Sequence, residues 1–160
     1  MIRFIALTLT ALSLLPGVGF AHTPQVDVPE AAQSAVTTVD RFFAALSTGD
    51  LDKAGAELDP AVIILEGGGA EHSAAEYLGG HAKGDVEFLK AAQQKLVRRT
   101  ARVNGALGWV ASESELHATK DGKPVTISST ETMVLRATDG GWKIVHIHWS
   151  SRVKNSHAAH

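Results

Sequence analysis

The stretch ALGWVASESELHATKDGKPVTISSTETMVLRATDGGWKIVHIHWSSR, Ala106 to Arg152, decides the fold. Apolar and polar residues alternate along most of it, which is the period of a strand with one buried face. Asp121-Gly122 and Thr138-Asp139-Gly140-Gly141 interrupt the alternation, and Asn104-Gly105 stands just before it. Such pairs adopt the positive-φ turns that join antiparallel strands. The turns predict four strands in a meander: Leu96–Val103, Ala106–Thr119, Val125–Ala137 and Trp142–Arg152.

The turns also predict a register. With Lys120 opposite Lys123, Ser112 meets Glu131, Ser114 meets Ser129 and Leu116 meets Ile127. With Ala137 opposite Trp142, Leu135 meets Ile144, Met133 meets His146 and Glu131 meets His148. One face then gathers Val110, Leu116, Val125, Ile127, Met133, Leu135 and Ile144 around Ser112, Ser114, Ser129, Glu131, His146 and His148. The opposite face carries Glu113, Glu115, His117, Thr126, Ser128, Thr130, Thr132 and Lys143 and reads as solvated. The first face must therefore meet the helices, with a polar group inside an apolar concavity. Val134, Val145, Ile147 and Trp149 fall on the outer face, where an apolar patch predicts homodimerisation.

Upstream the periodicity changes. Ala32, Ala35, Val36, Val39, Phe42, Phe43 and Leu46 recur at three and four residues, predicting a helix over about 29–48. Asp27 and Glu30 have capping-box spacing, and Gly49 ends the helix. Asp50 caps a second helix to Leu58, which Asp59-Pro60 stops. Ala61–Glu66 is a strand, and Gly67-Gly68-Gly69 is a turn, since no Gly-Lys-Ser/Thr follows to hold a phosphate. Ser73 and Glu76 form another capping box, opening a helix with Tyr77 and His81 on one face. Gly79-Gly80 weakens that helix, and Asp85 caps a last piece to about Gln93. Helices first and a meander afterwards make an α+β domain, with N-terminal helices packed on one face of an antiparallel sheet.

The chain has 160 residues, 44% of them hydrophobic and 20% charged, enough for one cored domain. Its net charge of −2 offers no basic field for nucleic acid. With no cysteine, it has neither disulfides nor thiolate metal sites. Residues 1–21 read as a secretory signal peptide: Arg3, then an apolar stretch from Phe4 to Leu15, then Gly19-Phe20-Ala21 before the cut. The stretch is short for a membrane span. The chain is therefore expected in a bacterial periplasm or outside the cell, off the membrane once cleaved. Residues 22–28 read as a loose arm, 29–152 as the domain and 153–160 as a polar tail.

Three segments carry a family resemblance. They are Val39–Leu46 with Gly49-Asp50 and Leu58–Val62; Glu66-Gly67-Gly68 with Ser73–Tyr77 and His81; and Gly140–Ser151. Together they resemble the SnoaL-like branch of the nuclear transport factor 2-like superfamily, the cystatin-like, cone-shaped fold shared with ketosteroid isomerases and limonene-epoxide hydrolases. The likeness covers about residues 30–152. It implies a pocket between a curved antiparallel sheet and the helices, often within a homodimer. It carries over no catalytic residue: no aspartate-plus-tyrosine arrangement of the isomerase kind is evident, and the chain has a single tyrosine, Tyr77.

The candidate site residues follow from the predicted inner face. His148 beside Glu131 would be a general base with its tautomer fixed by a carboxylate, or else a hydrogen-bonded pair that only organises the pocket. Tyr77, His81, His146 and Glu66 would line the pocket and hold a ligand's polar groups. In a second reading His72, His81, His146 and His148 bind zinc or copper. His22 as a new N-terminus could chelate copper, and His157 and His160 are expected to be solvated. Trp109 and Trp149 are expected at the outer interface, and Arg99 inward, where it could meet an anion. The leading expectation is a small-molecule-binding domain; if catalytic, it would perform acid/base chemistry on a small apolar substrate without an organic cofactor. The alternatives are the histidine metal protein and a non-catalytic dimeric interaction domain.

Overall fold

A computed structural model describes residues 23–154. The expected signal peptide, His22, His157 and His160 lie outside the described residues. The elements are β1 (Gln25–Asp27), α1 (Gln33–Thr48), α2 (Leu51–Glu57), β2 (Leu58–Glu66), β3 (Gly69–Glu71), α3 (Ala74–Gly79), α4 (Ala82–Ala91), β4 (Gln93–Asn104), β5 (Leu107–Lys120), β6 (Lys123–Thr138) and β7 (Gly141–Val153). One seven-stranded sheet runs in the order β1-β4-β5-β6-β7-β2-β3. The expected meander forms its middle. β2 adds to β7 and β1 to β4 in parallel, so the sheet is mixed rather than wholly antiparallel.

The helices obey their local signals with two exceptions. Gly49, at φ 79°, closes α1, with its N–H donating to Leu46 and the Asp50 N–H to Ala45. The Asp50 carboxylate accepts from the Lys53 N–H at the start of α2, and Ser73 Oγ accepts from the Glu76 N–H at the start of α3. The first exception is Asp27, which lies in β1 and binds the Arg102 guanidinium at 2.6 Å instead of capping α1. The second is Asp85. α4 begins at Ala82, so Asp85 sits in its first turn rather than at its cap.

α1 lays Ala35, Val36, Val39, Phe42 and Leu46 on the concave sheet face. Val62 and Ile64 of β2, Val110 of β5, Met133 and Leu135 of β6, and Ile144 and Ile147 of β7 meet them, all buried.

The β5–β6 register is the expected one throughout, with Ser112 opposite Glu131 and Lys120 opposite Lys123. The β6–β7 register starts as expected, with Ala137 opposite Trp142 and Leu135 opposite Ile144. It then shifts by one residue: Val134 faces His146, Met133 faces Ile147 and Glu131 faces Trp149. Val145 is the extra residue of a β-bulge. Because side chains alternate, one inserted residue exchanges the faces of everything beyond it. Ile147 and Trp149 turn into the core, and His146 and His148 turn out. Two of the four apolar residues that sequence alternation placed outside, Ile147 and Trp149, are therefore core residues, while Val134 keeps to the outer face.

Candidate functional site

Glu131 is the floor of the site. It projects from β6 between Ser112 on β5 and Trp149 on β7, and it is only 9% exposed. Trp149 donates its indole N–H to Oε2 at 3.2 Å. Burial raises the Glu131 pKa; the nearby Ser112 hydroxyl, Trp149 N–H and Arg99 guanidinium pull it back only in part. Arg99 does point inward, but its partners are protein groups: Nε donates to Ser112 Oγ at 3.1 Å and Nη1 to Asp40 Oδ1 at 2.5 Å. A polar chain thus runs from α1 through Arg99 and Ser112 to the buried carboxyl.

The rim is a second polar cluster. Glu66 ends β2, Glu71 lies on β3, Tyr77 on α3, and His81 and Asp85 one turn apart at the start of α4. Gly79-Gly80 breaks the helix between Tyr77 and His81, yet their rings stay 6.3 Å apart, edge to face. The fully buried Tyr77 hydroxyl donates to Asp85 Oδ2 at 2.7 Å. His81 Nδ1 lies 3.0 Å from Glu71 Oε1.

Burial raises the pKa of Glu66 and of Asp85, and neighbouring carboxylates add to it. Burial alone would lower that of His81, but Asp85, Glu71 and Glu66 outweigh it and raise it. Burial and the Asp85 charge push the Tyr77 phenol well up, so it stays a donor. Trp149 ties rim to floor: it stacks on Phe42 with centroids 6.3 Å apart and planes 15° apart, and its ring lies 6.2 Å from Tyr77.

Between the two clusters lies a cavity of about 280 Å³. Phe43, Leu46, Phe88, Leu89, Leu116, Ile127 and Trp149 form its apolar walls, Gln94, Ser112, Ser114, Ser129 and Ser151 line it with neutral polar groups, and Glu131, Glu66 and Asp85 all reach it. Apolar walls with a few convergent polar groups are the usual make-up of a small-molecule site, here near the lower end of the usual size range. Carboxyl groups with raised proton affinity in such a site suit proton transfer.

The structure unites some of the expected residues and separates others. Glu131 points inward and Glu66 lines the cavity, whereas Tyr77 and His81, expected to line it too, stand in the polar cluster beside Glu66 and do not reach it. His148 does not reach Glu131: it is exposed on the outer face opposite Thr132, and Trp149 takes its place. His146 is also on the outer face, where its Nδ1 lies 2.9 Å from the Ile63 carbonyl oxygen, so neither histidine lines the pocket. The four-histidine metal set is therefore not assembled, since His72 is exposed at the foot of α3 and only His81 faces the rim.

Sequence reasoning missed Asp85 and Glu71 as site residues and placed Trp149 outside. Asp85 stands four residues beyond His81 and eight beyond Tyr77, a helical spacing that would have revealed it. The signal for Trp149 is the adjacent apolar pair Ile144-Val145, where the alternation of the last strand changes phase.

The profile of the SnoaL-like domain matches residues 36–154. A proposed ketosteroid isomerase from Shewanella frigidimarina is 32% identical, with 73% of this chain and 94% of that one covered and a TM-score of 0.70. The CaMKII hub of S. rosetta is 22% identical over 75% and 95% of the chains, with a TM-score of 0.65. A proposed dehydratase of the NTF2-like family from Streptomyces avermitilis is 20% identical over 74% and 94%, with a TM-score of 0.63. The last two share the fold. No curated protein matches the chain.

Proposed function

The chain belongs to the SnoaL-like domain family, and from that premise we propose that its cavity binds a small, largely apolar carbonyl compound on which Glu131 moves a proton. The observation that carries this reading is a buried carboxyl of raised proton affinity at the floor of a cavity with both apolar and hydroxyl-bearing walls. A proton is most readily transferred by a group whose pKa lies near the working pH, and burial moves a glutamate that way. Trp149 and Ser112 hold the carboxyl in place, so little reorganisation accompanies the transfer. Similarity to a proposed ketosteroid isomerase supports proton transfer next to a carbonyl.

The test is deuterium wash-in. A cyclic ketone incubated with the protein in heavy water should gain deuterium at the carbon next to its carbonyl, read by NMR. Glu131→Gln should slow this by about 100-fold or more, the usual scale of a lost acid/base group. Exchange at the uncatalysed rate with the wild-type protein would contradict the reading; bound but unexchanged ketone would leave a binding domain.

The proposal includes export, with cleavage after Ala21, and a homodimer through the outer sheet face. That face still exposes Ile63, Leu65 and Trp109, at 43%, 36% and 39%, after Ile147 and Trp149 have been assigned to the core.

A further inference from the structure

The rim contains a geometry that proton transfer at Glu131 does not use. A proton on His81 Nδ1 donates to Glu71, 3.0 Å away, which leaves Nε2 with its lone pair directed elsewhere. That lone pair faces Glu66 Oε2 at 3.6 Å and Asp85 Oδ1 at 3.7 Å. Both separations are too long for a hydrogen bond. Glu66 Oε2 is buried and has no hydrogen-bond partner, a costly state for a carboxyl oxygen. Three donor atoms, all within 4.8 Å of one another, surround a gap that none of them fills.

We propose that this gap binds a divalent transition ion of the zinc class, held by His81 Nε2, Glu66 Oε2 and Asp85 Oδ1. With metal–ligand bonds of about 2.0–2.2 Å, the His81–Glu66 and His81–Asp85 separations each subtend about 120° at the ion, so a closure of a few tenths of an ångström by the side chains brings them to a tetrahedral arrangement. One imidazole and two carboxylates are donors such ions accept. The surrounding groups match what a metal site needs around its ligands. Glu71 fixes the His81 tautomer, and the Tyr77 hydroxyl holds Asp85 Oδ2 at 2.7 Å, which orients Oδ1 toward the gap. Three protein ligands leave a position open. Glu66 and Asp85 line the cavity, so that position would take a water or the oxygen of a bound molecule. The site does not depend on proton transfer at Glu131, because the ion binds without an organic ligand.

Cobalt(II) serves as the probe, added to metal-stripped full-length protein and followed by its visible absorption. One ion per chain should bind saturably. Glu66→Gln and His81→Ala should each weaken binding by about 100-fold, and Glu71→Gln, which only orients His81, by about 10-fold. His146→Ala, on the outer face, and Ser129→Phe, which fills the cavity away from the rim, should bind cobalt like the wild type. Near-UV circular dichroism shows whether each variant is folded. Wild-type protein that takes up no cobalt saturably would overturn the proposal, and so would unchanged affinity in folded Glu66→Gln. The rim would then be an ion-pair cluster around a protonated His81. Cobalt binding retained by Ser129→Phe separates failure of this site from failure of the cavity reading.

Discussion

Glu131 is the residue on which the account turns, and its inward direction was legible. Alternation along Val125–Ala137 and the Asp121-Gly122 turn placed it opposite Ser112 on the buried face, where the structure has it. Its partner was not legible, because it depends on which of two adjacent residues, His148 or Trp149, faces in. The environment of Glu131 yields a stability prediction. Its pKa in the fold is raised above the ordinary value of 4.5. The folded protein therefore holds that proton more tightly than the unfolded chain. The stabilising contribution is complete below the unfolded value and is lost as pH rises through the folded one. Glu131→Gln keeps an acceptor for the Trp149 N–H but has nothing to titrate. Thermal melts should thus show the variant gaining on the wild type as pH rises above the ordinary glutamate value of 4.5. A difference in melting temperature that is flat with pH would place Glu131 in a water-like environment.

At the scale of elements, the four-stranded meander and the helices α1 and α2 were legible because their signals are local. Turn dipeptides, apolar periodicity and caps lie within a few residues of what they specify. The parallel partners were not. Gln25–Asp27 pairs with β4 and Leu58–Glu66 with β7 across long stretches of chain, and neither composition nor period names a distant strand. The bulge at Val145 was hidden for another reason: no glycine marks it, and its one trace is the adjacent apolar pair Ile144-Val145, which breaks the alternation of Lys143–Trp149. Yet the bulge decides the site. The bulge turns Ile147 and Trp149 inward and His146 and His148 outward, and an unbulged strand would do the reverse. A charge placed in the core costs several kcal/mol, a large share of a small domain's stability, whereas one on an exposed face costs almost nothing. Ile147→Lys should therefore lack a cooperative melt, and His148→Lys should melt like the wild type. The opposite ranking would contradict the bulged register.

At the scale of the whole molecule, the sequence reading foresaw a curved sheet under N-terminal helices, and the family match agrees. Chemistry is harder to foresee, because one fold hosts many activities and the site lies in a handful of side chains. Here those side chains come from nine elements, from Asp40 on α1 to Trp149 on β7. Only the folded register brings them together.

The central claim is that the inner-face cavity takes one small apolar molecule per chain. Native mass spectrometry of the protein expressed from the full sequence and mixed with a cyclic ketone, beside Ser129→Phe treated alike, tests it most directly. The account predicts a dimer of chains beginning at His22, with one ketone per chain in the wild type and none in the filled variant. Equal ketone occupancy in both proteins would contradict it.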